Sequence, residues 1–160
     1  MFNVGDVVVY PAHGVGVVES IEAKEISGTT HTFFILTILG NGMTVMVPVD
    51  NAELVGLRDL VDKKTVTRVY DILRDKDAPP DTQTWNRRYR EYMEKIKTGS
   101  ILEVATVLRD LYLLKFDKEL SFGEKKMFDT AKNLLVQELS IVNKTTSSKV
   151  EEELHDVLAA

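Results

Sequence analysis

The sequence predicts an α+β fold: a small antiparallel β-barrel over residues 1–60, followed by an all-α domain of about five helices over residues 61–160. Three observations predict it. Up to about residue 57, short runs rich in β-branched and aromatic residues alternate with glycine-containing turns. From about Val61 the apolar residues recur instead at helical spacing. Ser-x-x-Glu then occurs at Ser100, Ser121 and Ser148, each time just ahead of an apolar-periodic run. That spacing lets the serine cap a helix start while the glutamate reaches back to the serine's own N–H.

The strands follow from the turns. Val7 to Tyr10 is a β-branched run stopped by Pro11, and His13, Gly14 and Gly16 make the first turn. Val15 to Ile26 alternates through Val18 and Ile21, and Ser27-Gly28 supplies a tight hairpin. Thr30 to Leu39 and Met43 to Val49 are joined by Gly40-Asn41-Gly42, and a last short strand is expected near Leu54 and Val55. A sheet this short protects its edges best by closing, which points to an SH3-like or Tudor-like barrel. The first helix is expected from Lys64 to Leu73, with Pro79-Pro80 beyond it. A second runs from Thr84 to Lys97 and stops at Gly99. The three Ser-x-x-Glu boxes open helices over Ile101 to Phe116, Phe122 to about Val142, and from Ser148 to Leu158.

Composition narrows the function classes. The 160 residues, 44% apolar and 28% charged, suit one ordinary soluble domain or two small ones. The chain has no cysteine, which excludes disulfides, cysteine-based zinc sites and thiol nucleophiles. It has no apolar run of roughly 18 residues to span a bilayer, and the N-terminus lacks the regions of a signal peptide. A cytoplasmic protein is expected, with no membrane partner, no small-molecule substrate and no cofactor. His13, His31 and His155 are dispersed and form no metal-ligand spacing. His13-Gly14-Val15-Gly16 lacks the third glycine and following helix of a phosphate cradle, so it reads as a turn. An enzyme is not expected.

The charge is uneven. The formal total is −5, and residues up to Leu60 carry only Lys24 and Arg58 against seven carboxylates. One segment stands out against this background. Thr84 to Lys97, TWNRRYREYMEKIK, holds the sole tryptophan, two tyrosines and five basic residues against Glu91 and Glu94. Trp85, Tyr89, Tyr92, Met93 and Ile96 have the spacing of one buried helix face. Trp85 also sits in the opening turn behind the loop Asp77 to Asp81, where a side chain can project past the helix end. From the residues alone, a core tryptophan with a solvated charged face and a basic-aromatic grip on a polyanion both remain open.

Four longer tracts are more specific: VGDVVVYPAHGVGVVESIE, TVMVPVDNAELVGLRDL, TWNRRYREYMEKIKTGS and VLRDLYLLKFDKELSFGEKKMFDTAK. Together they resemble, in collinear order over almost the whole chain, the CarD/CdnL family of bacterial transcription factors. The likeness is nearer to the CdnL-type members of deltaproteobacteria than to actinobacterial CarD. The N-terminal domain also resembles the RNA-polymerase-interaction module of transcription-repair coupling factors.

The resemblance implies a non-enzymatic initiation factor, cytoplasmic and brought to the nucleoid by polymerase. Its Tudor-like domain would dock on the RNA polymerase β subunit, and its helical domain would meet promoter DNA at the upstream edge of the melted region, largely without reading sequence. It implies that Trp85 wedges into the minor groove there and stabilises the open complex. Arg87, Arg88, Arg90, Lys125 and Lys149 are implied as phosphate contacts, and Lys24, Leu36, Met46 and Pro48 as polymerase contacts. Actinobacterial members carry arginine at the positions of Lys24 and Met46, so docking here should be more apolar. A second reading, from a different class, is an adaptor that joins two proteins without touching DNA. Binding to forked DNA that weakens steeply with salt separates the two.

Overall fold

The structure, a computed structural model, describes residues 2–77, 84–116 and 118–160, without the side chain of Trp85. The chain divides into two compact units, Met1–Leu60 and Val61–Ala160.

The first unit is one antiparallel sheet of β1 (Val7–Tyr10), β2 (Gly14–Ile26), β3 (Thr29–Ile38), β4 (Thr44–Pro48) and β5 (Arg58–Asp59), in the order β4-β3-β2-β1-β5. Ser27 and Gly28 turn β2 into β3 with φ of 53° and 81°, the left-handed pair that a two-residue hairpin needs. Val8, Val18, Phe34, Leu36, Val47, Ala52 and Leu57 form the core. The ladder carries one irregularity. Val18 pairs with Leu36 but Ser20 with Ile35, so Glu19 is an extra residue, a β-bulge. The bulge lets Val18 and Ile21, three apart, pair with Leu36 and Phe34 on the core side of β3. The last strand is not near Leu54 and Val55. A single 3₁₀ turn over Val49–Asn51 and further turns carry the chain past an 84%-exposed Leu54. Leu57 enters the core instead, and Arg58 and Asp59 pair with Val9 and Val8.

The second unit contains α1 (Lys63–Arg74), α2 (Trp85–Lys97), α3 (Ile101–Leu114), α4 (Phe122–Val142) and α5 (Ser147–Ala159). The central α3 packs against α1, α2 and α4, and α5 closes over α1 and α4. Its inward face, Val104, Ala105, Val107, Leu108 and Leu111, is almost completely buried.

Only one of the three expected capping boxes forms in full. Ser121 Oγ accepts from the Glu124 N–H at 3.3 Å while Glu124 Oε1 accepts from the Ser121 N–H at 2.9 Å. Ser100 does start α3, but its side chain makes no capping bond, and its N–H donates to the Thr98 hydroxyl at 3.2 Å rather than to Glu103. The last helix starts earlier than Ser148: Thr146 is the N-cap and accepts from the Lys149 N–H. The third helix ends at Leu114, before Phe116, which is 69% exposed.

Candidate functional site

The second helix presents a different inner face from the one its aromatic spacing suggests. Among its described side chains, Arg88, Tyr92 and Ile96, at i, i+4 and i+8, are the buried ones, whereas Tyr89 is 45% exposed. Trp85 is the first residue of α2, after the N-cap Thr84, and its side chain lies outside the described residues. Arg87 and Arg90 are exposed, as the phosphate-gripping assignment requires. Arg88 is not. It is 6% exposed, and its Nη2 lies 3.5 Å from Oε2 of Glu124, which has no exposed surface. An arginine held by a buried carboxylate inside the helical domain is a structural cation, so Arg88 leaves the set of surface contacts.

Glu124 is the residue on which this end of the domain converges. Besides closing the α4 capping box, its Oε1 lies 2.9 Å from the Lys118 ammonium. Burial pushes its carboxyl up, but the Ser121 N–H and hydroxyl and the Lys118 ammonium together hold it below the ordinary value of 4.5. A carboxyl depressed on folding stabilises the native state above its unfolded value, and that contribution is lost as pH falls through the lower folded value. The helical domain is therefore expected to lose stability as pH falls below about 4.5. Glu124→Gln should make that acid slope shallower in melts followed by circular dichroism. Asp62, the α1 N-cap, is lowered first by the Thr65 hydroxyl and then by the Thr65 N–H from which it accepts, and it leaves a residual slope.

Through Glu124, the start of α2 is fastened to the start of α4. Among the described residues, the exposed side chains there include Arg87, Tyr89 and Arg90 on α2, beside Asn86 and Glu91, and Phe122, Lys125 and Lys126 on α4, with half-exposed Lys118 between α3 and α4. Phe122 is 83% exposed, and sequence reasoning missed it by reading it only as a helix start. The signal was available, since Phe122 falls off the stripe Glu124, Met127, Ala131 and Leu135 that α4 buries. Lys149 is exposed too but belongs elsewhere. It lies near the start of α5, which follows α4 in the chain and packs back on it, with Glu151 3.3 Å from Lys132.

In the first unit, strand register sorts the expected docking residues. Ile35 pairs with Met46, and Phe33 with Pro48, while Leu36 pairs with Val45. Because side chains alternate along a strand, Leu36 and Met46 point to opposite faces. Leu36 is fully buried among Val8, Val18, Phe34 and Val47, so it is core rather than contact surface. Met46 is 42% exposed on the edge strand β4, Pro48 is half-buried, and half-buried Ile35 takes the neighbouring position assigned to Leu36. Lys24 is exposed and pairs with His31, two residues before Phe33, so it shares the Met46 face further along the hairpin.

Among the described residues, no group of His, Asp or Glu side chains is arranged to hold a metal ion, and no helix is long and apolar enough to cross a membrane.

The comparisons with known proteins agree along the chain. Residues 2–61 match the CarD-like/TRCF RID domain, and residues 68–155 match the CarD C-terminal domain. A Bacillus subtilis (strain 168) protein named "Putative transcription factor YdeB" is 34% identical over 150 residues, covering 94% of this chain and 97% of YdeB. Two solved Myxococcus xanthus structures are similar to the first unit. The N-terminal domain of CarD is 39% identical over 37% of this chain and 79% of that one, with a TM-score of 0.32. The N-terminal domain of CdnL is 44% identical over 38% of this chain and 86% of that one, with a TM-score of 0.34. With both halves matched in order and a near full-length relative, this chain of a Tudor-like β domain and a helical domain belongs to the CarD/CdnL family of transcription factors.

Proposed function

We propose that the protein binds the RNA polymerase β subunit through the β4 edge of its first domain and holds promoter DNA open with the α2–α4 end of its helical domain. One observation carries the DNA half of this reading. In a chain of net charge −5, the exposed cations Arg87, Arg90, Lys125 and Lys126 and the exposed rings of Tyr89 and Phe122 belong to two helix starts joined by one buried ion pair. Cations beside exposed rings suit single-stranded or melted DNA, where the phosphates are neutralised and unstacked bases find a flat apolar partner. Trp85 opens the same helix and supplies the wedge. Lys149 lies on a different helix, α5, and serves flanking duplex rather than the same phosphates.

The polymerase half rests on Met46, Ile35 and Pro48, an apolar row on an open strand edge with Lys24 on the same face. An open edge can recruit a strand from a partner, and an apolar row beside it fixes the register. Met46→Glu is expected to weaken binding to isolated β subunit by about tenfold or more, as loss of a central apolar contact does, while leaving binding to forked DNA unchanged. Equal binding by the variant and the parent, measured by biolayer interferometry, would remove Met46 from the interface.

The helical domain carries no excess of cations over carboxylates, so its DNA affinity alone is weak, and tethering to polymerase supplies the effective concentration. The decisive experiment is the half-life of open promoter complexes formed by purified polymerase with and without the protein. Lengthening by the parent protein is expected. The exposed rings would equally suit a protein partner, and salt-insensitive binding with no response to forked DNA would favour that adaptor reading.

A further inference from the structure

We propose that Arg88 is a positioning residue, which through Glu124 sets where the α2 start, and with it Trp85, stands relative to the α4 start. The inference rests on the wedge reading above and adds to it the part that aims the wedge.

Among the described elements, α2 packs chiefly against α3. The turn through Gly99 fixes its C-terminal end, and Tyr92 and Ile96 bury its middle and last turns. At its first turns the inward residue is not apolar but Arg88, one helical turn beyond Trp85. An apolar contact there would resist separation but tolerate sliding and rotation. A buried guanidinium 3.5 Å from a buried carboxylate resists any displacement that lengthens that separation, because parting the two charges inside the domain is costly. Buried ion pairs of this kind are weak net stabilisers and good selectors of one arrangement. The carboxylate is itself immobilised, since Glu124 also accepts from the Ser121 N–H and pairs with Lys118. The anchor for α2 is thus the rigid start of α4, the segment that presents Phe122 and Lys125. Wedge helix and grip are thereby held as one surface.

The test uses the full-length protein and two readouts. Trp85 is the chain's only tryptophan, so fluorescence excited at the red edge of the indole band, where the tyrosines do not absorb, reports on the wedge alone. Arg88→Met and Glu124→Gln keep side-chain bulk and remove the charge pairing. Each is expected to lower steady-state tryptophan anisotropy and to shorten the open-complex half-life about fivefold or more. The salt slope of binding to forked DNA should stay that of the parent. Arg87→Ala and Arg90→Ala should instead leave anisotropy unchanged and reduce the slope by about 0.7–0.9 each, as loss of a phosphate contact does. Arg88→Met in a Trp85→Ala background should cost nothing further in half-life, because it acts through the indole.

A reduced salt slope in Arg88→Met would make Arg88 a phosphate contact and overturn the inference. So would unchanged anisotropy and half-life in both folded charge-removing variants while Trp85→Ala shortens the half-life, which leaves the wedge reading standing. If Trp85→Ala itself has no effect, the wedge reading fails and takes the inference with it. Cooperative melts check that each variant is folded. Should Arg88→Met not fold, Arg88→Lys, which keeps the charge and loses the planar fork, is expected to show a smaller change of the same sign in both readouts, and parental values there would count against the inference.

Discussion

Trp85→Ala is expected to shorten the open-complex half-life about tenfold. Stacking an aromatic ring on an unstacked base contributes about 1–3 kcal/mol. That contribution is present only while the strands are apart, so it slows reclosure and leaves the closed complex unaffected. A preference of 1.4 kcal/mol is about a tenfold change in the open-to-closed ratio. Recruitment should persist, because the β4 edge that carries Met46 and Pro48 is untouched. Competitor-challenge kinetics on a single promoter measure the lifetime directly, and Trp85→Phe should retain part of it because a smaller ring still stacks. If the alanine variant protects open complexes as long as the parent does, the indole plays no part in holding the strands apart.

Glu124→Ala is expected to give the largest loss of stability. It removes three things at once: the acceptor of the Ser121 N–H, the partner of Lys118, and the carboxylate facing the buried Arg88. Leaving a buried charge without its partner costs about 3–5 kcal/mol. For a domain the size of residues 61–160, a loss of that order lowers the thermal midpoint by roughly 15–30 °C. The half-exposed Lys118 adds little to this, since water screens it. Glu124→Gln should lose distinctly less, because the amide oxygen still accepts from Ser121. Alanine at the exposed Glu91 should change nothing beyond about 0.5 kcal/mol and serves as the control. A Glu124→Ala midpoint within a few degrees of the parent would mean that the Arg88 end of α2 is not held from α4.

The readable parts of this fold were those with local causes. Gly28 in a left-handed turn, Gly99 ending α2 and the Ser121–Glu124 box are each written in a few adjacent residues, and the elements they bound lie where the sequence suggested. The misreadings share a different origin. Leu36 and Met46 belong to strands whose faces depend on pairing register, and no local pattern states that Leu36 meets Val45 while Met46 meets Ile35. Arg88 was assigned to the surface because it is charged and stands among Arg87 and Arg90. Its burial required a carboxylate 36 positions later in the chain, at the start of another helix. Ser148 was passed over as a cap because Thr146, two residues earlier, offers the same chemistry nearer the end of α4. Local chemistry marks the boundaries well; which face turns inward is decided by partners distant in sequence.

The extra residue at Glu19 has a consequence for anyone exchanging hairpins between relatives. From Ser20 outward, every side chain of β2 lies on the side of the sheet opposite to the one an unbroken alternation from Val18 would give it. A chimera that kept Glu19 but ran through it without the bulge would carry identical residues in identical order. It would nevertheless turn Lys24 away from Met46 and send the ribbon's inner residues to the outside. Transplanted segments should therefore be aligned by their kink before they are aligned by their letters.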